Sequence, residues 1–343
     1  MSFTAAVAGC TGYAGGEVLR LLLAHPEIEI GNLTAASSAG SRLGEHHANL
    51  WPLADRVVAE TTPENLAGHD IIFLALPHGA SSALAEKLPE DAIVIDCGAD
   101  HRLTDADRWE RFYHVPYAGA WPYGLPELPG QRDKLASAKR IAAPGCWVAT
   151  VTFALLPALT HGLVDGHDVT AAGGSGTSGA GKSATPHLLG SETAGGMSAY
   201  GVGGVHRHLP EMLQNFELLG ARQPTLSFTP MLAPMPRGIL VVVTAPVDAG
   251  ISAGQVREAY LDSYDPEPFV HVLPEGSWPN SKSTLGSNSV GVNATVDAEA
   301  GRLVAVCTLD NLTKGTAGSA IQSLNLALGL PETTGLTTIG VAP

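Results

Sequence analysis

The chain has 343 residues, of which 45% are hydrophobic and 15% are charged, and its formal net charge is -14. This length is enough for a full hydrophobic core and for two domains. The negative charge and the lack of a Lys/Arg cluster argue against nucleic acid as a partner, because phosphate backbones are bound by clustered cations. A small-molecule ligand is therefore expected.

Membrane-spanning and metal-binding classes are also disfavoured. No basic stretch precedes the apolar residues of Met1–Gly9, and apolar runs such as Ile239–Ala245 are far shorter than a bilayer span. We therefore expect a cytoplasmic protein that binds no membrane. The four cysteines are too few and too scattered for a disulfide framework or a CxxC metal site, so reduced thiols and no metal are expected. They are Cys10, Cys97, Cys146 and Cys307.

The first part of the chain alternates short apolar runs with helical segments. This alternation is typical of a parallel sheet with crossover helices, so it predicts a doubly wound α/β domain. The predicted strands are Thr4–Ala8, Glu29–Ala35, Ile71–Leu76 and Ile93–Asp96, and the predicted first helix is Gly15–Ala24, opening near Glu17.

The pattern of apolar residues changes after Cys146. A helix is predicted over Thr150–Leu159, and long β-rich runs follow. Two of these runs are joined by a short polar segment and predict a hairpin, so the second sheet is expected to be at least partly antiparallel. The spacing of apolar residues in Ala317–Leu328 predicts a final helix packed on a domain surface. The predicted strands of this part are Thr225–Pro230, Gly238–Val247, Val290–Val296 and Leu303–Leu309.

A glycine-rich loop, Gly9-Cys10-Thr11-Gly12-Tyr13-Ala14-Gly15-Gly16, connects the first predicted strand to the first predicted helix. Glycines let the backbone approach a pyrophosphate, and the helix N-terminus supplies N–H groups and partial positive charge. The loop therefore predicts a dinucleotide site, with a tight βα turn as the alternative. The predicted cofactor contacts are Gly9, Thr11, Gly12, Tyr13 and Ala14.

The end of the second predicted strand favours NADP over NAD. An acidic residue at this place binds the ribose 2'-hydroxyl of NAD. The sequence has Ala35-Ala36-Ser37-Ser38-Ala39-Gly40-Ser41-Arg42 instead. The hydroxyls of Ser37 and Ser38 and the guanidinium of Arg42 suit a 2'-phosphate, although Arg42 could also belong to a polar loop without a ligand.

The stretch Gly176–Ser183 matches the phosphate-loop pattern GxxxxGK[ST] of nucleoside triphosphatases. Pro186 falls early in the helix that should follow, and no strand ending in a metal-binding Asp is evident downstream. Triphosphate hydrolysis is therefore disfavoured. A glycine-rich backbone beside Ser and Lys can instead line a site for an anionic substrate, so Ser178, Gly179 and Lys182 are predicted substrate contacts.

Cys146 follows Pro144-Gly145 and precedes a predicted helical segment, so its thiol is expected at a helix N-terminus. The helix dipole there favours the thiolate, which is the nucleophilic form. The other cysteines are poorer candidates, because Cys307 lies in a β-run, Cys97 follows an aspartate and Cys10 lies in the cofactor loop. The alternative for Cys146 is a small buried hydrophobe.

A thiolate nucleophile needs a nearby acid/base group. The densest candidate is His206-Arg207-His208, followed by Glu211 at the start of a predicted helix, Met212–Leu219. The alternative is a surface loop with a helix cap.

These motifs together resemble the N-acetyl-gamma-glutamyl-phosphate reductase family and, more distantly, the aspartate-semialdehyde dehydrogenases. The similarity covers nearly the whole chain. The blocks that carry it are Ala8–Gly15, Pro144-Gly145-Cys146, Gly176–Gly181, His206-Arg207-His208 with Glu211, and Asp310–Gly318. The chain departs from the family at Ala143, at Trp147-Val148 and at Cys97-Gly98.

The resemblance implies roles for individual residues. Cys146 would be the nucleophile, His206-Arg207-His208 would contain the base, with His208 preferred, and Asn311 would lie near the nicotinamide. Arg102 would bind the phosphate or the carboxylate of the substrate, since its fork of donors suits either group. Arg207 and Glu211 belong to the same predicted site.

The resemblance also implies a domain organisation. A Rossmann-type NADP-binding domain would cover residues 1–145, and an α+β catalytic domain with a mixed, largely antiparallel sheet would cover residues 146–310. Residues 311–343 would form a C-terminal segment whose helix returns to the first domain. The catalytic domain would carry much of the interface of a homo-oligomer, either a dimer or a tetramer.

The implied activity is the NADPH-dependent reduction of N-acetyl-glutamyl 5-phosphate to the 5-semialdehyde through a thioester, a step of arginine biosynthesis. The first alternative is a related reductase that acts on an aspartyl or aminoadipyl phosphate. The second is a nucleotide-sensing protein that binds NADP without turnover. Cys146 argues against a sensor, because a sensor has no need of a thiol at a helix start.

Overall fold

The structure is a computed structural model that describes residues 2–342. Met1 and Pro343, which begin the predicted first domain and end the predicted C-terminal segment, lie outside the described residues. The chain forms two compact units. The first contains the residues up to Pro144 together with Thr316–Leu336, and the second contains Gly145–Gly315 together with the residues from Thr337 onward.

The first unit is built on a six-stranded sheet in which all neighbouring strands are parallel. Its strands are β1 (Phe3–Ala8), β2 (Ile28–Ala35), β3 (Ala59–Glu60), β4 (Ile71–Leu74), β5 (Ile93–Asp96) and β6 (Arg140–Ala142). The order across the sheet is β3-β2-β1-β4-β5-β6. From β1 the chain adds β2 and β3 on one side of the sheet, and then β4, β5 and β6 on the other side. This is the doubly wound arrangement that the sequence predicted.

Helices connect these strands. They are α1 (Tyr13–Leu22), α2 (Pro63–Leu66), α3 (Ser81–Ala85), α4 (Ala106–Tyr113) and α5 (Gln131–Ala136). The predicted start of the first helix at Gly15 is wrong by two residues, because Gly12 serves as the N-cap and Tyr13 already has helical geometry. The predicted strand Ile71–Leu76 ends earlier, at Leu74. All four residues of β4 are fully buried, as expected for a strand covered on both faces.

The second unit is built on a seven-stranded mixed sheet with the order β11-β12-β13-β10-β7-β9-β8. These strands are β7 (Val169–Ser175), β8 (Ser198–Ala199), β9 (Leu226–Leu232), β10 (Ile239–Pro246), β11 (Val270–Val272), β12 (Val290–Asp297) and β13 (Arg302–Leu309). Four of the six neighbouring pairs are antiparallel, while β11–β12 and β7–β9 are parallel. The predicted mixed, largely antiparallel sheet is confirmed, and so is the β12–β13 hairpin.

One helix lies at the centre of the second unit. The helices of this unit are α6 (Cys146–Thr160), α7 (Gly190–Thr193), α8 (Leu209–Leu218) and α9 (Ala253–Tyr264). Residues 147 to 159 of α6 are all buried, and the helix packs against β10, β13, α8 and α9. A helix that is apolar on every side lies inside a core. Cys146 is its first residue, so the packing of the whole helix fixes the position of the thiol.

The last helix, α10 (Gly318–Ala327), belongs to the first unit. It packs against α1, α5 and β5, with Ala320, Ile321 and Leu324 fully buried. A π-helical turn, Thr313–Ala317, precedes it. Within the described part of the chain, no helix is both long enough and apolar enough to span a bilayer.

Candidate active site

The glycine-rich loop of the first unit requires glycine at two positions. Gly9 has a φ of +78°, and a Cβ there would lie 2.1 Å from the Ala75 carbonyl oxygen. A Cβ at Gly15 would lie 2.3 Å from the Gly9 carbonyl oxygen, so α1 packs directly on the loop. The first-turn N–H groups of a helix have no intrahelical acceptor, and those of α1 follow this loop at the carboxyl end of β1. This geometry fits a pyrophosphate.

The loop after β2 carries hydroxyls and no acidic residue at the strand end. Ser38 Oγ lies 3.5 Å from Thr11 Oγ1, so this loop contacts the glycine-rich loop. Arg42 Nη1 contacts Asp55 Oδ1 at 2.7 Å, and the side chains are 62% and 92% exposed. An ion pair as exposed as this contributes little to stability, so it would break readily for a competing anion. Binding of a 2'-phosphate by Arg42 stays a prediction.

Arg102 is buried in the first unit. Its Nε donates to the Ala143 carbonyl at 2.7 Å, and its Nη2 donates to the Cys97 carbonyl at 3.0 Å. Only 5% of the residue is exposed. These bonds stabilise the chain around β5 and β6, and contact with the substrate stays a prediction.

Cys146 is the half-buried member of the four cysteines, and the other three are buried. Burial raises the pKa of Cys10 and of Cys97 to about 12. Burial also raises the pKa of Cys307. Those thiols therefore stay protonated at neutral pH, whereas Cys146 begins α6, where the helix dipole favours a thiolate.

Two neighbouring segments hold the start of α6 in place. The Gly145 N–H donates to Glu211 Oε1 at 2.9 Å, and Glu211 is 1% exposed. On the other side, a Cβ on Gly315 would lie 2.8 Å from Cys146 Cβ, so the π-helical turn fits against Cys146 only with glycine there. Cys146 is thus held between α8 and the turn Thr313–Ala317.

His206 and His208 lie together just before α8. The helix begins at Leu209, with His208 at the N-cap, three residues before the predicted start at Met212. His206 Nδ1 accepts a hydrogen bond from the His208 N–H at 3.1 Å, and the two rings meet edge to face with centroids 5.0 Å apart. Burial, and secondly the charge of Arg207, lower the pKa of His206 to about 4. The His206 imidazole is therefore neutral at physiological pH.

Tyr200 lies beside the predicted site residue His206 and was not predicted from the sequence. Its hydroxyl accepts a hydrogen bond from Trp147 Nε1 at 2.8 Å, and its ring centroid lies 5.5 Å from that of His206. Burial chiefly raises the pKa of Tyr200; the Trp147 bond lowers it and the negative charge of Cys146 raises it again. Tyr200 follows the glycine-rich run around Gly195, which has no periodicity that could have marked it.

The segment Gly176–Ser183 does not form a phosphate loop. The backbone N–H groups of Gly176, Thr177 and Ser178 donate to the carbonyls of Gly238, Met235 and Pro236, respectively. In a phosphate loop such N–H groups point to the ligand. The segment forms a 3-10 turn over Thr177–Ala180, and the next α-helix, α7, has only four residues.

The same segment lies against Asn311. Asn311 Nδ2 donates to Ser178 Oγ at 3.0 Å, and Asn311 Oδ1 accepts from the Gly238 N–H at 2.8 Å. A Cβ on Gly179 would lie 3.8 Å from Asn311 Nδ2. Two predicted site residues, Ser178 and Asn311, are therefore in direct contact. Lys182 lies farther along the turn on an exposed stretch, and partial burial lowers its pKa.

Asp310, the first residue of the block Asp310–Gly318, forms an ion pair with Arg237 that the sequence did not predict. Asp310 is fully buried and accepts from Arg237 Nη2 at 2.9 Å and from the N–H groups of Gly286, Leu312 and Thr313. This hub fixes the path of the chain from Asn311 into the π-helical turn beside Cys146. Among the described residues, no group of three or more His, Cys, Asp or Glu side chains could hold a metal ion.

Comparison with known proteins gives consistent matches. The family model described as "Semialdehyde dehydrogenase, NAD binding domain" matches residues 4–138, and the one described as "Semialdehyde dehydrogenase, dimerisation domain" matches residues 146–311. Curated proteins named N-acetyl-gamma-glutamyl-phosphate reductase from Thermobifida fusca and Streptomyces coelicolor are each 61% identical over 343 residues, covering 100% of both chains.

Solved structures show the same fold at low identity. Aspartate semialdehyde dehydrogenase with NADP from Candida albicans has a TM-score of 0.72 at 20% identity, covering 95% of this chain and 98% of that one. Aspartate semialdehyde dehydrogenase II complexed with ASA from Vibrio cholerae has a TM-score of 0.70 at 17% identity, covering 96% of this chain and 99% of that one.

Proposed function

The chain belongs to the N-acetyl-gamma-glutamyl-phosphate reductase family, and on this premise we propose that it reduces N-acetyl-glutamyl 5-phosphate to N-acetylglutamate 5-semialdehyde with NADPH, releasing phosphate. In this proposal Cys146 carries the acyl group as a thioester. The reaction is a step of arginine biosynthesis.

The observation that carries the proposal is the setting of Cys146. It is half-buried at the first position of α6, whereas the other three thiols are buried. A cysteine suits this chemistry because the thiolate both attacks and leaves well. Glu211 and Gly315 hold its backbone from two sides.

Acylation begins with attack of the Cys146 thiolate on the acyl carbon of the substrate. The bond from that carbon to the phosphate oxygen breaks, and phosphate leaves with the electron pair. The Gly145 N–H already donates to Glu211. The developing oxyanion would therefore be held by N–H groups of the first turn of α6, which have no intrahelical acceptor.

The proton transfers are assigned to His208. His206 is the poorer candidate, because its Nδ1 already accepts the His208 N–H and its low pKa keeps it neutral. We propose that His206 positions His208 through the hydrogen bond that its Nδ1 accepts. When the reduced thiohemiacetal collapses, its hydroxyl proton would pass through His208 to the departing sulfur.

The first unit would hold the cofactor. Gly9 and Gly15 leave no room for a side chain where the backbone closes on α1, which is the cradle that a pyrophosphate requires. Thr11, Gly12, Tyr13 and Ala14 would surround it. Ser37, Ser38 and Arg42 would bind the 2'-phosphate, which makes NADP the cofactor. Bound NADPH would supply the hydride that reduces the thioester.

The remaining proposed residues would bind the anionic ends of the substrate. The Ser178 hydroxyl accepts a hydrogen bond from Asn311, which fixes its place, and Gly179 is the next residue of the same turn. Lys182 and Arg207 lie on exposed stretches that a substrate can reach. Arg102 would also bind an anionic group of the substrate, and Asn311 would lie near the nicotinamide of the cofactor. We further propose a dimer or tetramer, in line with the name of the family model that matches residues 146–311.

A reverse assay tests the proposal. Purified protein is mixed with N-acetylglutamate semialdehyde, phosphate and NADP+, and the absorbance of NADPH is followed. A phosphate-dependent signal is expected. The kcat/KM should be lower when NAD+ replaces NADP+ and when aspartate semialdehyde replaces N-acetylglutamate semialdehyde. Absence of a phosphate-dependent signal would refute the function. A larger kcat/KM with aspartate semialdehyde would assign the chain to a related acyl-phosphate reductase, and cofactor binding without turnover would indicate a sensor.

A further inference from the structure

A relay of hydrogen bonds supports the loop that follows β2. The Ser41 hydroxyl donates to the Ser38 carbonyl at 2.6 Å, and Ser41 Oγ lies 2.7 Å from His46 Nε2. A serine hydroxyl has one proton. Since that proton is used toward Ser38, the Ser41 oxygen accepts and His46 Nε2–H donates. The direction of the relay is therefore fixed, from His46 through Ser41 to Ser38.

The relay acts on a short, closed turn. Gly40 has a φ of +89° and its N–H donates to the Val58 carbonyl at 2.8 Å, while the Val58 N–H donates to the Ser41 carbonyl at 2.9 Å. These two bonds fix the side of the turn that faces Val58. The relay fixes the side that faces the glycine-rich loop, where Ser38 Oγ lies 3.5 Å from Thr11 Oγ1.

We propose that His46 is a positioning residue that sets the preference for NADP over NAD. The inference rests on the proposed function, in which Ser37, Ser38 and Arg42 bind the 2'-phosphate. His46 does not bind the phosphate. It keeps the Ser41 proton directed at Ser38, so that the turn holds the hydroxyls of Ser37 and Ser38 in the conformation that an anion needs. A preformed site avoids the entropy cost of ordering the loop on binding.

Three variants separate this role from simple stabilisation. In His46→Gln the amide nitrogen takes the place of Nε2 and can still donate to Ser41. In His46→Leu the donor is lost at similar volume. In Ser41→Ala the relay is cut at its other end, in case the leucine variant does not fold. Each variant is compared with wild type by calorimetric titration with NADP+, NAD+, 2',5'-ADP and 5'-AMP.

The relay predicts a selective effect. His46→Leu and Ser41→Ala should bind NADP+ and 2',5'-ADP about 3- to 10-fold more weakly, the range for one lost hydrogen bond, while their affinity for NAD+ and 5'-AMP stays near that of wild type. His46→Gln should retain the wild-type selectivity. Asn32 and His69 form a hydrogen bond elsewhere in the first unit, so His69→Leu is the matched control and should leave the selectivity unchanged.

Several outcomes overturn the inference. Unchanged selectivity in both His46→Leu and Ser41→Ala would do so, as would an equal loss of NADP+ and NAD+ affinity. Loss of selectivity in His46→Gln would contradict the hydrogen-bond mechanism. These results differ from a failure of the proposed function, which would appear in the wild type itself as no cofactor binding or as a preference for NAD+.

Discussion

The Gly145 N–H and the Glu211 carboxylate form a buried hydrogen bond of 2.9 Å that joins the residue before Cys146 to the first turn of α8. A carboxylate is favoured at that place by the dipole of α8. Its acceptor oxygen also keeps a buried backbone donor satisfied, so the position of Cys146 depends on a side chain far away in the sequence.

Removal of the Glu211 acceptor should slow the enzyme. In Glu211→Ala the buried Gly145 N–H loses its partner, which should destabilise the folded protein by about 1–3 kcal/mol. The start of α6 would then shift, and we expect this misplacement to lower kcat roughly 10- to 100-fold. Glu211→Gln keeps an acceptor oxygen and should lose much less. Steady-state kinetics with circular dichroism as a folding check provide the measurement. An equal loss in both variants would show that the charge matters rather than the hydrogen bond.

Gly315→Ala should displace Cys146, the proposed nucleophile. The added methyl group would lie 2.8 Å from Cys146 Cβ, closer than real Cβ contacts allow, so the start of α6 or the π-helical turn must shift. We expect kcat to fall at least about tenfold, since small misplacements of reacting groups are costly, with little change in NADP+ affinity. Gly190→Ala is the matched control, because no atom lies within 4 Å of its new methyl group. Wild-type kcat in Gly315→Ala would contradict the tight packing.

The thiols should differ sharply in reactivity. Because burial raises the pKa of Cys10 and Cys97 to about 12, only Cys146 should react quickly with iodoacetamide in the native protein near neutral pH. Peptide mass spectrometry identifies the labelled residue, and labelling in denaturant should reach all four cysteines. Early labelling of Cys10, Cys97 or Cys307 in the native protein would contradict the structure.

The raised pKa of Asp96 should make the stability of the protein depend on pH. Burial, and then the charge of Asp100, raise the pKa of Asp96 from 3.8 to about 6. The folded protein thus binds this proton more tightly than the unfolded chain, so the associated stability is present below pH 3.8 and is lost as the pH rises through about 6. Asp96→Asn removes this dependence. The variant should therefore gain stability relative to wild type between acidic and neutral pH.

Urea denaturation at several pH values measures that difference. Asp265→Asn, at an exposed position, is the control and should follow the wild-type curve. A constant difference between Asp96→Asn and wild type, or a difference that shrinks as the pH rises, would contradict the assignment.

The strands were predictable where buried apolar runs were long enough. Ile93–Asp96 matches β5 residue for residue, and the β12–β13 hairpin was evident from two β-rich runs joined by a polar turn. The two-residue strands Ala59–Glu60 and Ser198–Ala199 have no such pattern. They exist because neighbouring strands offer hydrogen-bond partners, which only the folded chain reveals.

The family was predictable because it is carried by blocks of local sequence in a fixed order, and the resemblance is confirmed. The surroundings of Cys146 were less predictable. Glu211 was foreseen as a neighbour but not as the acceptor of the Gly145 N–H, and Tyr200 was missed. Such contacts join residues that are distant in the chain, so no spacing in the sequence signals them.

Gly176–Ser183 is a case in which a local sequence pattern predicts a structure that the chain does not form. Its residue types match the phosphate-loop pattern, but the backbone N–H groups of Gly176 and Thr177 donate to the carbonyls of Gly238 and Met235. A motif predicts a phosphate site only when these donors stay available, and here the segment between β9 and β10 lies beside the loop and uses them.

The central claim is that Cys146 carries the acyl group, and trapping the acyl-enzyme tests it most directly. Freshly prepared N-acetyl-glutamyl 5-phosphate is mixed with the enzyme without cofactor, and the released phosphate and the protein mass are measured. We predict a burst of one phosphate per active site and one N-acetylglutamyl group on the peptide that contains Cys146, both absent in Cys146→Ser. Phosphate release without modification of that peptide, or an undiminished burst in the variant, would contradict the account.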